Sequence, residues 1–145
     1  MFERLAGEAG LRDAIRADSA GTGAWHVGEA PDARAQAEAA RRGVDLSGQR
    51  ARSVDVTDFE SFDYILAMDR ANLSELKSRC PPGYHDRLHL FLSFAVDADV
   101  QDVPDPYYGG AQGFSRVLDL VEAGSVGLLE HLRGRIERER AGGTR

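Results

Sequence analysis

The chain has 145 residues, enough for one domain with a core of its own, with 42% hydrophobic and 29% charged residues. Its formal net charge of -6 excludes a broad basic face for a nucleic-acid backbone, and no apolar run reaches the length of a membrane span. A single cysteine, Cys80, cannot build a disulfide framework or a metal site alone. The expectation is one cytoplasmic domain over residues 1–145, without a metal or cofactor, acting on a small molecule or a protein and not on nucleic acid or membrane.

The elements alternate between two periods. "FERLAGEAGL" places Phe2, Leu5, Ala6 and Ala9 at helical spacing before Gly10, yet no Ser, Thr, Asp or Asn precedes Phe2 as a cap. "AIRADSAGTG" predicts a short strand around Ile15 to Ser19 running into a Gly-rich turn. "PDARAQAEAARRG" predicts a helix opened by Pro31 and closed by Gly43. "FDYILAM" has the length and apolar character of a strand buried on both faces. In "MDRANLSEL", Asp69 stands where an N-cap belongs, and the helix must stop near Arg79 because Pro81 and Pro82 follow. "RLHLFLSF" predicts a third strand, and a long apolar-faced helix closes the chain with Gly124 and Gly127 as bend points. Strands alternating with helices predict an α/β fold with a parallel sheet.

Cys80 invites comparison with a nucleophilic phosphate loop, in which Cys and Arg are separated by five residues. Here "CPPGYHDR" puts Asp86 at the arginine position, and two prolines remove amides that such a cradle needs. Cys80 therefore reads as a structural residue at a helix end. "SAGTGAWHVG" lacks the glycine spacing of a dinucleotide loop, and Trp25 and His26 on it read equally well as a substrate rim or as plain surface. "SGQRARS", with Arg50 and Arg52, reads as a solvated loop before it reads as an anion site.

"DVPDPYYGG" is the sharpest signal. Prolines on both sides of Asp105 stiffen the backbone, so a carboxyl there can be held at low entropic cost, as a general acid requires. The plain alternative is an Asp-Pro turn.

Taken together, "SAGTGAWHVG", "FDYILAMDRANL" and "DVPDPYYGG" give a sequence that resembles the low-molecular-weight protein tyrosine phosphatases over nearly its whole length. The resemblance implies a three-layer sandwich, a central parallel sheet flanked by helices, and hydrolysis of a phosphotyrosine protein or a small aryl phosphate through a phosphocysteine. It implies that Asp105 is the general acid that protonates the leaving phenolate. It makes Tyr107 and Tyr108 the walls of the aromatic pocket and Trp25 and His26 its variable rim. It also implies that Ser19 braces the phosphate loop and that Asp69 caps its helix. Gln49 stands where the family often has a histidine.

The family opens with a strand and a Cys-x5-Arg-Ser loop, and these 145 residues contain no such loop. The expectation is an N-terminally truncated domain lacking roughly twenty residues, including a first central strand of about 5–6 residues. Such a chain would be inactive as written and marginally stable, with sheet edges open to pairing with another chain. Two alternatives stand beside it: a pseudo-phosphatase serving as a protein-interaction module, and an arsenate reductase, whose additional redox cysteines this sequence lacks.

Overall fold

The structure, a computed structural model, describes residues 1–11, 13–21, 28–30, 33–46, 48–50, 52–96, 100–104 and 110–143, without the side chains of 110–112, 114 and 141–143. Helix α1 spans Phe2–Glu8, with Met1 at its N-cap and no capping side chain. Its other end is closed by a Schellman motif. Gly10, at φ +74°, donates to the Gly7 carbonyl at 3.1 Å, and Leu11 donates to the Ala6 carbonyl at 2.9 Å. The same pair of bonds closes α2 (Ala33–Arg41): Gly43, at φ +80°, donates to Ala40, and Val44 donates to Ala39. In both motifs the residue after the glycine is buried near the helix residue it bonds, so each stop also adds to the packing.

A short helix α3 (Asp58–Ser61) leads to strand β1 (Ile65–Ala67), which pairs in parallel with β2 (Leu88–Leu90) in the register Ile65↔Leu88, Leu66↔His89, Ala67↔Leu90. A parallel pair needs a long crossover. Helix α4 (Arg70–Arg79) and a 3-10 turn (Pro82–Arg87) supply it. The side chains of the pair divide by the pleat. Ile65, Ala67, Leu88 and Leu90 pack with Phe59, Leu76 and Cys80, whereas Leu66 packs on the other face with Phe91, Leu92 and Leu128. The sheet thus carries apolar layers on both faces, as the unbroken apolar run of β1 predicts.

Asp69 caps α4 as expected, its carboxylate accepting the Asn72 N–H at 2.7 Å. Removing it in Asp69→Ala is expected to cost about 1 kcal/mol. A urea melt unchanged within about 0.3 kcal/mol would contradict that assignment of the cap.

Two expected strands differ. Ile15 to Ser19 form no ladder. Ile15 donates to the Leu11 carbonyl at 3.1 Å and packs beside Ala6 and Leu129, and among the described residues this part of the chain finds its sheet-like partner at the parallel bridge Gly21↔Ser53. A strand is defined by its neighbour, and among the described residues that stretch has none. The third strand stops at Leu90. Phe91–Phe94 coils into a 3-10 turn, with Ser93 Oγ donating to the Leu90 carbonyl at 2.6 Å and both Phe91 and Leu92 driven under the last helix.

That helix, α5 (Gly110–Gly143), runs 34 residues without a break. The glycines expected to bend it serve a different purpose. The Phe91 ring lies where a side chain at Gly124 would be, and the Phe94 carbonyl lies where one at Gly127 would be. Arg42 ties α2 to α5 through Asp119 at 2.8 Å and the Ser115 carbonyl at 3.1 Å. No helix among the described residues is long and apolar enough to cross a membrane.

Candidate active site

In a parallel α/β sheet, ligands are received outside the carboxyl ends of the strands. At this end of β1 the chain runs through Met68 and Asp69 into the N-terminus of α4, and the segment before Asp105 is joined to it. Val103 donates its N–H to the Met68 carbonyl at 2.8 Å. The Asp102 carboxylate accepts the Arg70 backbone N–H at 2.8 Å and the Arg70 guanidinium at 3.2 to 3.3 Å. The guanidinium and N–H of Arg70 hold the Asp102 carboxyl below the usual carboxylate range. The first turn of α4 therefore has two carboxylates on its free amides, Asp69 on the third and Asp102 on the first, both at the favourable end of the helix dipole.

The five residues to which the sequence assigns the site, Trp25, His26, Asp105, Tyr107 and Tyr108, lie outside the described residues. Ser19, Gln49 and Arg52, which the sequence also singles out, lie among the described residues. Ser19 is exposed, and its N–H is held by the Asp18 carboxylate at 2.8 Å. Gln49 donates its N–H to the Leu46 carbonyl and accepts from the Arg50 guanidinium at 2.6 Å. Arg52 does not face solvent as a free cation. Its guanidinium grips Asp58 with two bonds of 3.0 and 3.3 Å and reaches Asp18 at 3.2 Å. These bonds raise the Arg52 pKa and lower that of Asp58. The clamp fixes the approach to the Gly21–Ser53 bridge, and it removes Arg52 as an anion ligand.

Cys80 is the structural residue that its sequence context implies. It is buried at the C-terminal end of α4 against Phe59 and Leu76, with Sγ within 3.4 Å of the Pro81 carbonyl oxygen. Burial pushes its thiol pKa up, the opposite of what a nucleophile needs. It also stands at the wrong end. Asp69 and Cys80 bracket α4, and eleven residues at about 1.5 Å each put them roughly 16 Å apart. The described residues contain no group of three or more His, Cys, Asp or Glu side chains placed to hold a metal.

Sequence reasoning missed Arg70, Asp102 and the Arg52 clamp. Asp102 lay in plain view inside "DVPDP", but nothing local connects it to a residue 32 positions earlier.

The chain is thus a parallel α/β protein whose Asp102–Val103 segment is bonded to the carboxyl end of a strand. The model of the low molecular weight phosphotyrosine protein phosphatase family matches residues 1–139. The chain is 39% identical to the low molecular weight protein-tyrosine-phosphatase YfkJ of Bacillus subtilis over 135 residues, 92% of this chain and 84% of that one. It is 40% identical to the low molecular weight protein-tyrosine-phosphatase of Streptomyces coelicolor over 141 residues, 94% of this chain and 85% of that one. Among solved structures, a protein tyrosine phosphatase of Entamoeba histolytica with Hepes in its active site superposes with a TM-score of 0.88 at 35% identity, covering 92% of this chain and 85% of that one. The crystal structure of YfkJ superposes with a TM-score of 0.84 at 38% identity, covering 92% and 83%. The chain belongs to the low molecular weight phosphotyrosine protein phosphatase family, and the α/β architecture expected from its sequence is the family's.

Proposed function

We propose that this chain carries the acid half of an aryl phosphatase site, with Asp105 as general acid, Tyr107 and Tyr108 as the aromatic wall, and Trp25 and His26 as the rim. In the reaction, a thiolate forms a bond to phosphorus as the bond from phosphorus to the phenolic oxygen breaks, and the departing phenolate takes its proton from Asp105. The substrate class is a phosphotyrosine protein or a small aryl phosphate. The observation that supports this reading is the sequence Pro104-Asp105-Pro106-Tyr107-Tyr108 following directly on a segment bonded to the carboxyl end of β1.

The 145 residues hold no Cys-x5-Arg loop, and Cys80 is buried with a raised pKa. A positioned acid alone contributes about 10²–10⁴-fold, a small part of the acceleration a phosphomonoester demands. The 145-residue polypeptide is therefore inactive by this reading. The test is p-nitrophenyl phosphate hydrolysis by the chain beside Asp105→Ala: the two rates should be equal, and turnover above the Asp105→Ala control would refute the inactivity of the 145-residue chain while supporting Asp105 as the acid. Intact mass of the protein taken from its source separates the remaining readings. A mass of 15.8 kDa is that of these 145 residues and favours an interaction protein, whereas a heavier chain with an upstream cysteine favours a working phosphatase.

A further inference from the structure

The geometry points to Asp102 and Arg70 as positioning residues for the acid loop, a tether that fixes where the chain stands as it enters Asp105. This rests on the reading of Asp105 as the acid and adds to it the device that aims that acid.

Five bonds carry the inference. Four join Asp102 to Arg70: one from the Arg70 backbone N–H at 2.8 Å, two from Nε at 3.3 Å and one from a terminal nitrogen at 3.2 Å. The fifth, from the Val103 N–H to the Met68 carbonyl at 2.8 Å, holds the next residue by its backbone. Pro104 follows with its φ confined near −65° and no N–H to offer a competing bond. Two consecutive residues are thus held, a third is stiffened by its ring, and the fourth is Asp105.

The anchor is rigid. Met68, Asp69 and Arg70 are the join between β1 and α4, and that join is fixed on one side by the β1–β2 ladder and on the other by the Asp69 cap. Binding to Arg70 by backbone as well as guanidinium matters. A surface ion pair alone contributes little because two long side chains must be immobilised, whereas a main-chain N–H is already immobile. The pair is also poorly placed to be a stability device, since Arg70 is 69% and Asp102 39% exposed at the side chain. A tether bonded to a helix amide but open to water contributes more to location than to burial. An acid catalyst misplaced by an ångström loses most of its benefit, so a loop that must deliver one has use for such a fixing.

The test uses the 145-residue chain, isotopically labelled, as wild type, Asp102→Ala, Asp102→Asn and Arg70→Gln. Two signals are read: amide hydrogen exchange at Val103, and the pH titration of the Asp105 side-chain carboxyl carbon. In Asp102→Ala, Val103 is expected to exchange about five- to tenfold faster. Asp102→Asn, which keeps an acceptor for the Arg70 N–H but drops the charge, is expected to fall between Asp102→Ala and wild type. The Asp105 midpoint should move in opposite directions, up in Arg70→Gln, which leaves Asp102 uncompensated, and down in Asp102→Ala, which leaves Arg70 uncompensated. A residue that merely stabilised the fold would not produce that opposition.

Unchanged Val103 exchange in Asp102→Ala overturns the tether. So does an Asp105 midpoint identical in all four proteins, or an equal rise of exchange through Ile65–Ala67, which would make the pair a general stabiliser. Both signals come from a chain that need not turn over substrate, so failure of the tether is distinguishable from failure of the acid assignment, which is read by the loss of hydrolysis in Asp105→Ala of a chain that includes an upstream Cys-x5-Arg loop.

Discussion

Gly127→Ala is expected to destabilise the protein by about 2–3 kcal/mol, although alanine is the better helix former. On helix propensity alone the change would gain up to about 1 kcal/mol. The sign reverses because the new methyl would occupy the position of the Phe94 carbonyl oxygen and crowd the Ala95 backbone, and a backbone turn cannot swing away as a long side chain can. Either α5 lifts from the Phe91–Phe94 turn or the turn gives up its hydrogen bonds. Gly134→Ala is the internal control. It sits in the same helix, and the atom it would meet is the far end of the Arg138 side chain at 3.4 Å, so it should be neutral or stabilising. Equal urea midpoints for Gly127→Ala and Gly134→Ala would show that the α5 contact is looser than described.

Phe59→Ala should cost about 3–5 kcal/mol, against a total of ~5–15 kcal/mol for an ordinary domain. Phe59 is only 1% exposed and is packed with Ala67, Leu76, Cys80 and Leu88, so its removal opens a cavity shared by α3, both strands and α4. Its carbonyl, with those of Glu60 and Phe62, also accepts from Arg87, which ties this corner to the start of β2. Phe59→Leu should retain most of the stability, since it keeps the larger part of the volume. A loss below about 1 kcal/mol in Phe59→Ala would mean that the cavity collapses at little cost.

The features that the sequence predicts correctly are those whose cause is local. Gly10 and Gly43 end their helices because only a residue without Cβ takes a positive φ cheaply, and this depends on nothing beyond a few neighbours. Asp69 caps α4 because its carboxylate reaches an amide three residues on. Cys80 reads as structural because its flanking prolines and Asp86 forbid a phosphate cradle, and the core around Phe59 and Leu76 agrees. The family is legible for a related reason. "FDYILAMDRANL" and "DVPDPYYGG" are contiguous strings, so matching them requires no knowledge of distant partners.

The misreadings all concern partners far away in the chain. Ile15 to Ser19 have strand character, but a ladder needs a second strand, and the stretch turns its isoleucine into the α1–α5 core instead. "RLHLFLSF" reads as one strand, yet its second half coils because Phe91 and Leu92 bury themselves under α5. Gly124 and Gly127 suggest a bend until the Phe91–Phe94 turn is seen against them.

The sequence by itself determined the helix stops, the α/β order and the family, because period, caps and proline restraints act over a few residues. Only the tertiary structure decided that Arg52 is spent on Asp58 and Asp18, that Cys80 lies at the far end of α4 from Asp102, and that Asp102 reaches back to Arg70. Those facts depend on which segments the crossover folds side by side, and no local rule of the chain encodes a bond spanning 32 residues.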